Sequence, residues 1–466
     1  MFKLITGLLF SSITYAQWSN DPNQNLLIAD RPGEEAQPKI VATADGGAYI
    51  SWFDNTNGGY DVYIQRIDAN GTEQWPHNGV LVADRSFTST QDYGLAIDSN
   101  GNALLAFRDD RNANEEITVN AISSTGELLW GTTGIKVNVT TGFLANPKVA
   151  GTSDGQVAVA WTQDSDVVVQ KLDSNGVAQW GNGITLTATN SSLISSDLKA
   201  SDQGNVIVSM VESASFQAPK LLWAQKLAAA DGASLWGAEP LQVLDSGSLQ
   251  FGNFPSFITD DSGGAIFSWY TSSPSLNCWV QHINSNGTPR FVQNGVATST
   301  HASQIRTSPS AAYDPNSQTI YTFWPELSSN QAQSGIYGQK FDANGIRQWT
   351  DSGRSLVALD NNQRYFIQTQ LINDQPMVTW INSRSFNNDI IEGAQVDTNG
   401  TLTWTPAITE LNSSTAGDSR LASAISGQGF GMYVWSENNN IKAQNLNVDG
   451  TLGSDLIFAN GFDSLN

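Results

Sequence analysis

Gln65 to Trp75 reads QRIDANGTEQW, and the chain repeats this phrase along its length. Near copies are QKLDSNGVAQW (Gln170 to Trp180) and QKFDANGIRQW (Gln339 to Trp349). Looser ones are NAISSTGELLW (Asn120 to Trp130), QKLAAADGASLW (Gln225 to Trp236), QHINSNGTPRF (Gln281 to Phe291) and AQVDTNGTLTW (Ala394 to Trp404). An eighth, QNLNVDGTLGS, runs from Gln444 to Ser454 and ends on serine where the others end on an aromatic. Each copy predicts two strands and a turn. Apolar residues alternate up to the Asp, and Asp-x-Asn-Gly supplies the turn, with Gly71 free to take positive φ. The Asp side chain can bond turn amides two residues on, so its recurrence requires no metal. After the turn, the chain is expected to re-enter a strand through the Trp and reach an apolar run such as Val80-Leu81-Val82.

A second landmark precedes each phrase. An aromatic follows a hairpin of its own: Trp52 after ATADGGAYIS, Phe107 after IDSNGNALLA, Trp161 after GTSDGQVAVA. Met210, Trp269, Trp324, Trp380 and Trp435 continue the series, at successive spacings of 55, 54, 49, 59, 55, 56 and 55 residues. Self-similarity at this period signals a propeller or solenoid. Four short strands joined by hairpins make a propeller blade, and eight such blades need about 440 residues, nearly all of this chain. The expected fold is all-β: a single eight-bladed β-propeller of four-stranded antiparallel blades over residues 17–466.

The two ends of the repeat are complementary. QWSNDPNQNLLIAD, Gln17 to Asp30, resembles the later EQWPHNGVLVAD (Glu73 to Asp84) but has no hairpin before it. It reads as a fourth strand without its first three, while the eighth phrase lacks its Trp. The N-terminal strand should therefore complete the last blade, which begins near Arg420, and close the ring without free sheet edges. Trp18 then fills the vacancy at Ser454. The ring tryptophans are read as packing between blades. The recurring Gln (Gln65, Gln170, Gln225, Gln281, Gln339, Gln444) shares the parity of the apolar residue two places on, so it should be buried and bonded between blades.

Residues 1–16, MFKLITGLLFSSITYA, have the form of a signal peptide. Lys3 is the positive start, Leu4 to Phe10 the short apolar core, and Thr14 and Ala16 the small residues before a cleavage site near Ala16. The protein is expected to be secreted or periplasmic. No later stretch is long and apolar enough for a membrane helix. Cys278 is the only cysteine, so no intramolecular disulfide forms, and a chain of this length can bury a large core instead. The formal charge of −22 excludes nucleic acid and anionic membranes as natural partners. It suits cationic ligands, neutral glycans or simple solubility. No membrane insertion is expected, and a monomer is.

Asp-x-Asn-Gly-x-x-x-Trp in an eightfold ring resembles the tryptophan-docking repeat of quinoprotein-like propellers, whose pattern is roughly Asp-x-x-Thr-Gly-x-x-x-Trp. The Gly-to-Trp spacing matches in the seven copies that keep the aromatic; the Asp-to-Gly spacing is one residue shorter. The resemblance covers about eleven residues per blade and implies fold. The quinone-dependent members also share a disulfide between adjacent cysteines, which one Cys cannot make. The phrase is also similar to the Asp-box of sialidases, Ser-x-Asp-x-Gly-x-Thr-Trp, with Arg31-Pro32 a faint echo of their Arg-Ile-Pro segment. The ending IFANGFD, Ile457 to Asp463, is similar to short C-terminal tails on exported Gram-negative proteins.

Hairpins of the repeated phrases lie on one face of the ring. The other face carries the second-to-third strand loops and the interblade loops, which are read as longer and as the place for function. The loops Val211 to Trp223, Tyr270 to Trp279, Pro325 to Tyr337 and Ile381 to Glu392 belong to it, as does the interblade segment ADRPGEEAQPK, Ala29 to Lys39. The richest is Phe107 to Ile117. Arg108, Asp109, Asp110, Arg111, Glu115 and Glu116 could hold a cation or a sugar, or form a solvated loop with internal ion pairs. Asp109 and Glu115 could also serve as an acid and base pair. Trp223 and Trp279 stand outside the packing rings and are read either as sugar platforms or as blade-edge packing.

Other chemistry is absent from the sequence. His77, His282 and His301 sit apart, with no HExxH and no Cys cluster for zinc. Asp-x-Asn-Gly is half a calcium loop, without the later acidic ligands. No phosphate loop and no Gly-x-Ser-x-Gly elbow occur. No catalytic residue, metal or cofactor is assigned. The expected function is an exported, non-catalytic propeller that binds a polysaccharide or a protein through its loop face. The alternative is a carbohydrate-active hydrolase or lyase using loop-face carboxylates.

Overall fold

A computed structural model describes residues 17–112 and 114–454; the proposed signal peptide, its cleavage site near Ala16 and the tail 455–466 lie outside them. Eight antiparallel sheets follow one another along the chain. The first blade is Glu35–Ala42, Ala48–Asp54, Asp61–Ile67 and Val80–Ala83, paired in chain order from the channel outward. Six further blades repeat this order. The eighth is Asp418–Ile425, Gly431–Glu437 and Asn440–Leu446, completed by the N-terminal strand Leu26–Ala29. Leu26 pairs with Ala443, and the inner strand of the eighth blade packs on that of the first, so the ring is closed as the repeat pattern requires. In the fifth and sixth blades the inner strand is split, into Ser248–Leu249 and Phe257–Thr259, and into Gln304–Arg306 and Ser310–Asp314. Pro255 and Pro309 lie in the two gaps, where a missing N–H cannot serve the ladder.

The repeated phrase acts as a dock between neighbours. Asp68 Oδ1 accepts from the amides of Asn70 (2.8 Å) and Thr72 (2.9 Å), which fixes the turn. Each docking tryptophan donates its Nε1–H to a carbonyl in the next blade's turn: Trp75 to Ser124 (3.1 Å), Trp236 to Ser285 (3.0 Å), Trp404 to Val448 (2.8 Å). Trp18 does the same to Ala69 at 2.9 Å, so it occupies the eighth docking position. The turn glycine has two reasons to be glycine. Gly287 has φ +83°, and a Cβ there would lie 2.8 Å from the Trp236 ring.

The chain does not re-enter a strand at the tryptophan, as the alternation predicted. Only a single bridge, Ile67 to Glu73, follows the turn, and Trp75 lies in an irregular segment before Val80–Ala83. The recurring Gln explains this. Gln170 Oε1 accepts from the amide of Trp180 (3.0 Å) and its Nε2 donates to the Gly181 carbonyl (2.9 Å). The buried amide side chain thus replaces ladder bonds that the segment would otherwise make. In the last blade Gln444 donates to the Ser19 carbonyl at 3.1 Å, tying the Trp18 segment to the eighth blade.

Buried hydrophobic clusters sit between adjacent blades, and the ring aromatics from Trp52 to Trp435 are their largest members. Near the loop face the inner strands are bulged: registers shift between Ala36 and Lys39 and between Ser419 and Ala422. Gln37 (φ 53°) and Arg420 (φ 60°) occupy those bulges in the left-handed region. No helix among the described residues is long and apolar enough to cross a membrane.

Candidate functional site

The loop face is built differently from its sequence reading. Several second-to-third strand loops are tight hairpins, because the strands run on to their tips. Gln375–Ser385 and Asn388–Gln395 leave only Phe386 and Asn387 between them; Gly431–Glu437 and Asn440–Leu446 leave only Asn438 and Asn439. Asn387, Asn438 and Asn439 take positive φ, which asparagine tolerates in such turns.

The charged loop of the second blade binds itself. Arg108 pairs with Glu115 at 2.5 Å and covers the Phe87 ring. Arg111 makes a fork with the buried Asp109 (2.7 Å) and donates to the Thr132 and Thr133 carbonyls. Glu116 takes Lys136 at 2.7 Å and Asn112 at 2.7 Å, and Asp110 accepts from the Ser86 amide at 3.0 Å. Burial alone would raise the Asp109 carboxyl, but its bonds to Arg111 win and hold it below the usual carboxylate range. A carboxyl held low is a poor proton donor, and Asp109 and Glu115 each already face an arginine. Asp110 and Arg111 do line a cavity of about 690 Å³ with Gly58, Arg85 and Ser86.

Neither extra tryptophan stands free. Trp223 packs half-buried against the core between the third and fourth blades, and Trp279 against that between the fourth and fifth. Trp279 donates to Thr271 at 3.1 Å. Trp223 lines a rim cleft of about 890 Å³ with Glu212, Glu239 and Asp245, and its Nε1 has no partner among the described residues.

Two features of this face carry no motif. The first is an aromatic pair, Phe216 and Phe251, with ring centroids 4.9 Å apart and exposures of 78% and 62%. Phe216 is held out by design of the loop below it. The buried Lys220 ammonium donates to the carbonyls of Ser215 (2.7 Å), Phe216 (3.1 Å) and Ala218 (2.7 Å). Three carbonyls on one ammonium fix the loop backbone and leave the ring in water.

The second is a set of facing acids where the ring closes. In seven of the eight blades a residue of the inner strand pairs across the sheet with the residue two places after the ring aromatic. In the sixth blade this rung is Arg306 and Glu326, an ion pair at 3.1 Å whose carboxylate also accepts from Trp324 Nε1. In the eighth and first blades it is two acids: Asp418 opposite Glu437, and Glu35 opposite Asp54. Burial, then the neighbouring charges of Asp54 and Asp30, pushes the Glu35 carboxyl up to about 8 against the opposing Arg31 amide bond. Burial, then Glu437, pushes Asp418 up to about 9. Glu437 is itself held low against burial by Lys442 and Ser414. Like charges directly opposite destabilise a sheet, so one acid of each rung keeps its proton at neutral pH. Glu35 lines a cavity of about 640 Å³ at the loop-face end of the channel, with Gln37, Phe366, Arg420 and Asn439.

Among the described residues no three His, Cys, Asp or Glu side chains gather as a metal set. No family model matches the chain. No curated protein sequence matches it. Among solved structures it is similar to the Dos1 propeller, at 10% identity and TM-score 0.49 over 91% of this chain and 94% of that one. It is similar to prolyl oligopeptidase B from Galerina marginata at 11% identity and TM-score 0.48, covering 89% of this chain. The match spans 56% of that enzyme's length. A polysaccharide lyase, the PL25 ulvan lyase, gives 11% identity and TM-score 0.46 over 95% and 98% of the two chains. At these values the likeness is one of propeller architecture and carries nothing about function.

Proposed function

We propose that this eight-bladed propeller is an exported binding module that engages a polysaccharide through its loop face. The observation that carries the reading is the Phe216–Phe251 pair, two exposed rings from neighbouring loops, the first of them fixed by Lys220. Exposed apolar rings on a rigid support lower the ordering cost of binding, and the apolar face of a sugar ring is a suitable partner. The Trp223 cleft, with its unpartnered indole N–H and three acids, and the cavity beside Asp110 and Arg111 offer polar contacts on the same module.

The test is binding to a broad polysaccharide array, with product analysis. Selective retention of intact glycan supports the reading, and retention of a protein partner alone contradicts it. A second reading, a carbohydrate-active hydrolase or lyase, has one observation in its favour. Glu35, protonated at neutral pH, lines the channel-mouth cavity, and a carboxyl in that state is what general-acid chemistry uses. Release of shortened glycan in the same assay would select this second reading.

A further inference from the structure

We propose that the channel-mouth cavity between the eighth and first blades binds a primary ammonium group on a hydroxyl-rich ligand, an amino sugar, with Glu35 as its counter-ion. The choice of a sugar rests on the polysaccharide reading; the choice of an ammonium rests on the cavity itself.

The first-blade rung leaves buried acceptors unmet. The sixth blade shows what this rung looks like when complete. Arg306 supplies N–H groups to Glu326, and the Trp324 indole donates to the same carboxylate. In the first blade an acid takes the arginine's place. Glu35 is 1% exposed and its Oε1 accepts from the Arg31 amide at 2.9 Å, but its Oε2 has no partner among the described residues. Asp54 Oδ2, opposite, makes no hydrogen bond either, although Arg31 Nε lies 3.3 Å away. The indole Nε1 of Trp52 is also unpartnered. Unmade bonds of buried groups are costly, and two unmet acceptors against one unmet donor favour a ligand that brings donors.

A primary ammonium brings three N–H donors and a positive charge. It supplies to Glu35 what Arg306 supplies to Glu326. The remaining lining is suited to hydroxyls: Asn387, Asn438 and Asn439 amides and the Ser419 hydroxyl, with the Phe366 ring beside them. A protein of formal charge −22 attracts cations over long range. The other charged groups around Glu35 are Asp54 across the rung, Asp30 and Arg31 in the preceding loop, Glu34 beside it and Arg420 on the next inner strand. Arg420 is exposed on its bulge, where it can turn toward ligand hydroxyls.

The proton balance follows. Free Glu35 is protonated at neutral pH, and the ligand arrives as an ammonium ion. Pairing the two requires Glu35 to lose its proton to solvent, so binding releases protons. The Glu35→Gln variant keeps the shape and neutrality of the free site but cannot ionise.

The experiment is calorimetric titration of the purified protein with a glucosamine tetrasaccharide and its N-acetylated counterpart, in two buffers of different ionisation enthalpy. The expected result is about tenfold or more tighter binding of the free amine. Proton release should accompany it, and both should vanish in Glu35→Gln while the thermal midpoint does not fall. Equal affinity for the two sugars, or unchanged binding by Glu35→Gln, overturns the proposal while the polysaccharide reading stands. Failure of every glycan, on the array and in the titration, overturns that reading and this proposal with it.

Discussion

Asp418 and Glu437 stand directly opposite each other in the last blade, and Asn412 donates to both, at 2.8 Å and 2.7 Å. Glu437 has Lys442 and Ser414 as further partners, so it takes the charge and Asp418 keeps the proton. The folded state therefore binds a proton that the unfolded chain releases above about pH 4. Stability is predicted to fall as pH rises from about 4 toward about 9, and to level off beyond it. Asp418→Asn removes the ionisation. It should raise stability at neutral pH by about 1–3 kcal/mol and leave it nearly unchanged in mild acid. Thermal midpoints against pH check this; a loss of stability in Asp418→Asn at alkaline pH would contradict it.

The docking turns predict a contrast between two glycines of nearly equal φ. Gly287 has φ +83° with the Trp236 ring 2.8 Å from a built Cβ; Gly101 has φ +81° with open space around it. Gly101→Ala should cost about 1 kcal/mol, the price of the left-handed backbone. Gly287→Ala should cost roughly 1–3 kcal/mol more, because the neighbouring tryptophan must shift. Urea midpoints of the two variants give the difference directly, and equal costs would show that the dock does not bear on the turn.

Arg111 predicts a stability effect without a binding effect. Its removal leaves Asp109, 2% exposed, without its main counter-ion. Arg111→Ala should cost about 3 kcal/mol, and a second change, Asp109→Asn, should return most of it. Removing Arg108, whose partner Glu115 is exposed, should cost about 0.5 kcal/mol or less through that pair. A double-mutant cycle measures both.

The ring was readable because its rules are local and repeated. Asp-x-Asn-Gly announces a turn wherever it stands, and the missing Trp of the eighth phrase matched the spare Trp18, so closure followed from the letters alone. The buried Gln position was readable from its parity. What it does was harder to see: by bonding backbone in place of a ladder it takes Trp75 out of the strand that alternation predicted.

The candidate sites were less readable, because they depend on residues far apart in sequence. The charges from Arg108 to Glu116 stand out as a cluster, yet folding turns them toward each other. Phe216 and Phe251 are ordinary letters in different loops, and only Lys220 beneath one of them makes the pair rigid. Glu35 sits in a quoted interblade segment, but nothing in GEEAQPK says that it begins an inner strand opposite Asp54. Loop lengths misled because Phe386 and Asn387 form a two-residue turn between strands that continue past the polar letters.

The central claim is that the loop face binds glycan through rings the fold does not need. Phe216 and Phe251 are exposed, so replacing both by alanine should leave the thermal midpoint within a degree or two. The most direct measurement is affinity of the wild type and the Phe216→Ala, Phe251→Ala double variant for whichever polysaccharide the array selects. The account predicts a loss of about tenfold or more with the fold intact. Unchanged affinity in a folded double variant would contradict it.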